Sequence, residues 1–162
     1  MTVIDVQKDM TALTMTVRAE FDAPVDQVWQ LWADPRKLER WWGPPTYPAT
    51  FGQHELSPGG SVTYFMTSPE GQQFHGWWRV LDVQSPRLLL VEDGFADEHG
   101  VPNPDMPVTN MRVELVDRDG GGTSVSITSL FGTLEQLEQL IEMGMEEGLM
   151  AAMSQMDGVL AG

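Results

Sequence analysis

The stretch from Thr133 to about Leu160 restricts the possible folds of this chain more than any other. Thr133, followed three residues later by Gln136, has the spacing of a capping box and predicts a helix start. Apolar side chains then recur at helical spacing: Leu134, Leu137, Ile141, Met145, Leu149, Ala152, Met156 and Leu160. No proline interrupts the run. About 27 residues at ~1.5 Å each make one rod on the order of 40 Å long. Such a rod can cross the full face of a small sheet. The preceding chain reads mostly as strands, so the strands are expected to wrap around this helix.

Two features of the rod are unusual. Gly144 and Gly148 stand four apart, on one face of a continuous helix and beside the Met145 stripe. Each glycine inside a helix costs roughly 1 kcal/mol against alanine. Either they permit close packing against a strand, or their missing side chains leave a space between helix and sheet. Methionines also crowd here, at 143, 145, 150, 153 and 156. They suit an adaptable apolar surface or serve as core filler, with Met143 and Met150 as candidates to face solvent.

Upstream, residues 1–10 read as a ragged lead-in. Thr11 to Phe21 alternates, with Leu13, Met15, Val17, Ala19 and Phe21 on one face, and predicts a half-buried strand. Pro24 suits the first position of a helix, with Asp26 in its first turn. Val25, Val28, Trp29 and Trp32 follow at helical spacing. Asp34-Pro35 ends that helix and opens a second, on which Leu38, Trp41 and Trp42 lie together before Gly43-Pro44-Pro45 stops it. Strands are expected at Ala49 to Leu56, Ser61 to Thr67, Phe74 to Val83, Arg87 to Phe95, Met111 to Val116 and Thr123 to Phe131. Val125 and Ile127 should face the same side as Val113 and Leu115. Asp97 to Pro107, with three prolines among its acids and amides, reads as a surface loop.

The expected fold is therefore α+β. A curved antiparallel sheet of about six to seven strands grips a long C-terminal helix, with two short helices after the first strand. At 162 residues, without repeats or linkers, the chain is expected to form a single domain spanning 1–162. An elongated cavity between helix and sheet follows from this arrangement.

Residues from Arg18, reading RAEFDAPVDQVWQLWADPRKLERWWGPP, resemble the opening of heat-shock-protein-90 ATPase activator homologue-like domains. These belong to the SRPBCC, START-like, Bet v 1-like helix-grip superfamily. The matching parts are Ala23-Pro24, Val28-Trp29, Asp34-Pro35 and Trp41-Trp42-Gly43-Pro44. Further along, Pro58-Gly59-Gly60, Pro86-Arg87-Leu88 and Thr123-Ser124-Val125-Ser126-Ile127 match as well. The resemblance spans nearly the whole chain and implies a helix-grip fold with a cavity more than it implies a reaction. Members of the superfamily bind lipids, sterols, polyketides and other hydrophobic molecules, and a few are cyclases.

Charge and residue chemistry exclude several function classes. With 9 basic and 24 acidic side chains the formal net charge is −15, a field that repels a phosphate backbone and disfavours nucleic acid and anionic membranes. The chain has no cysteine, so neither a disulfide scaffold nor a thiolate metal site is available. Residues 1–16 show no apolar signal core, and no window approaches a membrane span, so a cytoplasmic location is expected. His54, His75 and His99 stand on different predicted elements without a zinc-binding spacing. No nucleophile elbow or phosphate loop is present. No metal, cofactor or catalytic residue is assigned.

Candidate ligand-contacting residues in the cavity are Trp41, Trp42, Tyr64, Met66, His75, Trp77, Glu92, Met111, Gly144, Met145 and Gly148. Of Trp41 and Trp42, one is expected to plug the core and the other to gate the cavity. His75 shares a strand face with Trp77, either as a polar cavity group or as a structural histidine. Glu92 shares a face with Leu88 and Leu90. If that face is concave, a carboxylate points into an apolar chamber with a raised pKa; if Leu89 and Val91 point inward instead, Glu92 is a rim acid. The first functional reading is a non-enzymatic protein that binds a small hydrophobic or aromatic molecule. The second, which the family resemblance implies, is a co-chaperone-like interaction module that regulates a protein partner, with a homodimer as the other possible assembly, and the third is a cyclase- or hydrolase-like enzyme using Glu92 or His75.

Overall fold

The computed structural model describes residues 2–162, with side chains from Asp5 onward; Met1, part of the expected lead-in, lies outside them. Eight strands form one sheet: β1 (Thr2–Asp9), β2 (Thr14–Phe21), β3 (Ala49–His54), β4 (Ser61–Thr67), β5 (Gln73–Gln84), β6 (Leu88–Ala96), β7 (Thr109–Asp117) and β8 (Thr123–Leu130). Their order is β1-β2-β8-β7-β6-β5-β4-β3, and every neighbouring pair is antiparallel. Helices α1 (Val25–Ala33) and α2 (Pro35–Trp41) fill the β2–β3 crossover. Helices α3 (Leu134–Glu142), α4 (Met145–Met153) and α5 (Met156–Ala161) close the chain.

Two expectations are corrected. The sheet has eight strands rather than six to seven, because residues expected to be a ragged lead-in form the edge strand β1. A register shift between Val3 and Asp5 breaks the period-two pattern there, and Gln7, Lys8 and Asp9 are exposed, so the strand carries little hydrophobic signal. The C-terminal rod is not continuous. Gly144 adopts φ 88° and ψ 24°, the left-handed region, and caps α4 where α3 ends. A second break falls at Ser154–Gln155, where the Gln155 amide donates to the carbonyls of Gly43 (2.6 Å) and Trp41 (3.3 Å) at the end of α2. These bonds tether the last helix to the α2 terminus instead of letting the rod run on straight.

Most of the other elements follow the local rules. Thr133 caps α3 by accepting from the Gln136 N–H at 3.1 Å. Asp34 caps α2 by accepting from Arg36, with Pro35 in its first turn, whereas Pro24 sits one position before α1 as its N-cap. In β2, Met15, Val17, Ala19 and Phe21 are buried, as the alternation predicts. Val113 pairs with Ile127 and Leu115 with Val125, and all four side chains are buried. Leu89 and Val91 complete that inner face on β6, while Val28, Trp32, Met156 and Val159 bring α1 and α5 into the same core. Each such buried side chain contributes roughly 1.5–3 kcal/mol relative to exposure.

Candidate functional site: a pocket between the sheet and the broken helix

Between the inner face of the sheet and the α3–α4 junction lies a pocket of about 320 Å³. The sheet supplies Tyr64 and Met66 from β4, Asp93 and Phe95 from β6, Thr109 and Met111 from β7, and Ser129 from β8. Leu140 and Met143 of the α3 end, then Gly144, Met145, Gly148 and Leu149, form the opposite wall. Trp42 and Pro44, just after α2, close one end. The left-handed turn at Gly144 redirects the chain beside this space. A Cβ built on Gly148 would meet only the Pro44 ring, at 4.0 Å, so Gly148 faces open volume rather than a tightly packed strand.

The polar groups gather near Trp42. The Tyr64 hydroxyl donates to Asp93 Oδ1 at 3.0 Å. Tyr64 lies opposite Gly76 in the β4–β5 register, and a Cβ on Gly76 would stand 2.3 Å from the Tyr64 ring. Only glycine there lets the ring lie against β5 and reach Asp93. Burial raises the Asp93 pKa to about 7, although the hydrogen bond from Tyr64 and the nearby Trp78 indole N–H favour the anion. Burial, followed by the Asp93 charge, pushes the Tyr64 pKa well above its usual value; the Trp42 indole N–H beside it acts in the opposite direction. Trp42 Nε1 and Trp78 Nε1 are both buried without a partner in hydrogen-bond geometry among the described residues.

Next to the pocket stands a filled aromatic block. Trp41 meets Trp32 edge-on at 5.2 Å and Trp42 at 5.5 Å; Trp42 meets Trp78 at 5.0 Å; Phe51 stacks on Tyr64 at 5.1 Å. Trp41 is fully buried, and its Nε1 donates to the Leu31 carbonyl at 2.8 Å. Of the two adjacent tryptophans, Trp41 is the plug and Trp42 lines the pocket.

The structure brings Trp42, Tyr64, Met66, Met111, Gly144, Met145 and Gly148 together around the pocket. Trp41, His75, Trp77 and Glu92 lie elsewhere. His75 packs against Phe65 at 5.4 Å and lines a separate hollow beside the 97–107 loop. The Trp77 ring occupies the space a Gly94 side chain would fill, and its Nε1 donates to the Phe95 carbonyl at 3.0 Å. Glu92 pairs with Arg79 across the β5–β6 ladder at 3.0 Å. The physical reason is a single alternation: Leu89 and Val91 point inward, so the next residue on that face is Asp93. Asp93 is the polar residue that sequence reasoning missed: Leu88 to Val91 is apolar on both faces, so alternation leads to Asp93 only once Leu89 and Val91 are known to face inward. Pro44, Phe95, Thr109, Ser129, Leu140 and Leu149 also line the pocket without having been singled out. Among the described residues no group of three or more His, Asp or Glu side chains could hold a metal ion.

An antiparallel sheet curved against C-terminal helices, with a pocket between them, is consistent with the helix-grip class. The family model described as "Activator of Hsp90 ATPase homolog 1-like protein" matches residues 22–161, and the chain belongs to this family. A crystal structure of a protein from Mycobacterium smegmatis is 45% identical, with a TM-score of 0.90, over 98% of this chain and 97% of that one. A solution structure of an Arthrobacter aurescens protein is 48% identical, with a TM-score of 0.94, over 99% of this chain and 92% of that one. A Staphylococcus epidermidis protein, 24% identical with a TM-score of 0.84 over 98% of this chain and 94% of that one, shares the fold. No protein of curated function matches the sequence.

Proposed function

We propose that the protein binds a small hydrophobic molecule in the pocket between the sheet and α3–α4. The observation that carries this reading is the lining: apolar side chains on most sides, with a few polar groups gathered at one end. Burial of apolar ligand surface would supply affinity at roughly 25 cal/mol per Å², and the polar end would fix orientation. Chemistry through Glu92 or His75 is not carried forward, since both lie outside the pocket. The cysteine-free sequence suits a reducing cytoplasm, and among the described residues no helix is long and apolar enough to cross a membrane. A net charge of −15 disfavours nucleic acid as a partner.

Native mass spectrometry of protein purified from its own host tests the proposal. A co-purified small molecule, displaced when a hydrophobic fluorescent probe binds, is the expected result. Failure of the wild-type protein to take up either a native molecule or any probe would overturn it. One observation favours a second reading, that of a protein-interaction module. The Tyr47 and Phe74 rings meet at 6.0 Å while 36% and 48% exposed, making a small aromatic patch outside the pocket. If that patch is functional, replacing both rings by serine should abolish a partner contact and leave probe uptake intact.

A further inference from the structure

The polar end of the pocket holds donor and acceptor capacity that the protein does not use internally. Trp42 is 9% exposed and lines the pocket, yet its buried Nε1–H has no hydrogen-bond partner among the described residues. That N–H lies beside the Tyr64 hydroxyl, which in turn sits 3.0 Å from Asp93 Oδ1. Asp93 accepts from Tyr64 at Oδ1 and has the Trp78 indole nearby, but a carboxylate offers about four lone-pair sites, so acceptor capacity is left at the same end. A donor without a partner in hydrogen-bond geometry and a carboxylate with spare lone pairs therefore flank one phenol, next to an apolar chamber.

We infer that the pocket selects an apolar molecule carrying one neutral hydroxyl, whose oxygen accepts from the Trp42 indole and whose proton goes to Asp93. This rests on the proposed ligand-binding function and adds the chemical class of the ligand. A hydroxyl is both donor and acceptor, so one small group satisfies both protein atoms. A bare hydrocarbon leaves the Trp42 N–H buried and unpaired, which costs affinity. A carboxylate can accept from Trp42 but places its charge against Asp93, in a chain whose net charge is already −15. An ammonium can pair with Asp93 but has no lone pair to offer Trp42.

A matched set of aromatic probes separates these cases: naphthalene, 2-naphthol, 2-naphthoate and 2-naphthylmethylammonium. Each is titrated into the full chain above the Asp93 pKa of about 7, so that the carboxylate is mostly ionised. We expect 2-naphthol to bind tightest, roughly tenfold tighter than naphthalene. Asp93→Asn, nearly isosteric with the native residue, should remove the penalty on 2-naphthoate and raise its affinity roughly tenfold. Trp42→Phe should shrink the advantage of naphthol over naphthalene to what the bond to Asp93 alone supplies while naphthalene still binds, and an unchanged advantage would overturn the assignment even if Asp93→Asn fails to fold. Naphthalene binding as tightly as naphthol to wild type would overturn the hydroxyl assignment and leave the apolar pocket standing. Tightest binding by the carboxylate or the ammonium would overturn it as well. If none of the four binds although another hydrophobic probe does, the hydroxyl assignment falls; if no probe and no native molecule binds at all, the ligand-binding reading falls with it.

Discussion

Beneath β3–β5 the sheet is closed by tryptophan, and beneath β6–β8 by methionine, leucine and glycine. At the first end Trp32, Trp41, Trp42, Trp78 and Phe51 interlock edge-to-face, and all are buried. At the second, the α3–α4 wall turns at Gly144 and presents Gly148 to open space, leaving about 320 Å³ unfilled. Both ends are apolar, so hydrophobicity alone does not distinguish them. The difference lies in side-chain volume and in whether the covering helix runs straight. The filled end is close-packed core, and the hollow end leaves the space that the proposed ligand would occupy. Tyr64 stands at the boundary, stacked on Phe51 on one side and bonded to Asp93 on the other.

The largest expected effect lies in the filled end. Trp41→Ala removes a fully buried ring and its bond to the Leu31 carbonyl, and should cost about 3–5 kcal/mol in urea unfolding. A loss below about 1 kcal/mol would mean that the aromatic block is not the rigid half of the molecule.

The boundary comes next, through pH. Asp93 has a folded pKa of about 7 against an ordinary value of 3.8. Between those values the folded protein holds a proton that the unfolded chain has released. Its stabilising contribution is therefore complete below about pH 4 and is lost as pH rises to about 7. Asp93→Asn should raise stability in mildly alkaline buffer by at most about 4 kcal/mol, less where water enters the pocket. The gain should vanish in acid, where wild type is neutral as well. Thermal melts of both proteins across that window check the sign. A variant equally stabilised at every pH would place the effect outside the titration of this carboxyl.

In the hollow end, Gly148→Leu should gain roughly 1 kcal/mol of helix propensity while filling the pocket. Unchanged or higher melting temperature with lost probe uptake is the expected pair of results. Destabilisation by 1–3 kcal/mol would instead signal overpacking, and with it a pocket already full. The equivalent change at Gly144 is a different experiment. Its φ of 88° strains any larger side chain, so Gly144→Leu should destabilise even though nothing crowds the position.

The smallest effect separates neighbours in sequence. Glu92 and Asp93 differ by one position, but Glu92 lies on the outer face beside the mostly exposed Arg79. Glu92→Gln should change stability by no more than about 1 kcal/mol, with no effect on probe binding. Equal effects at both positions would erase the distinction between the two faces of β6.

Much of this was legible in the sequence. Period-two alternation gave the inner face of β2 and the pairing of β7 with β8, and capping chemistry gave the starts of α2 and α3. Seven of the eleven residues expected around a cavity, Trp42, Tyr64, Met66, Met111, Gly144, Met145 and Gly148, lie on one pocket. The missed features are those with weak or ambiguous local signals. An edge strand interrupted by a register shift looks like a tail. A helix periodicity continues through Gly144 because side-chain spacing does not record a left-handed φ. The run Leu88 to Val91 is apolar on both faces, so alternation alone could not choose between Glu92 and Asp93.

The sequence by itself determined the order of elements from β2 to the start of α3, the family, the acid excess and the apolar character of what the helices cover. Local spacing, turn chemistry and charge are properties of neighbouring residues, and they are readable without a fold. Tertiary structure decided which tryptophan plugs and which lines the pocket, which carboxylate turns inward, and where the C-terminal helix breaks. Each depends on groups far apart in the chain: Gln155 reaching the carbonyl of Gly43, Tyr64 lying on Gly76, and the Tyr64 hydroxyl meeting Asp93. The raised pKa of Asp93 arises only when distant apolar strands and helices exclude water from it.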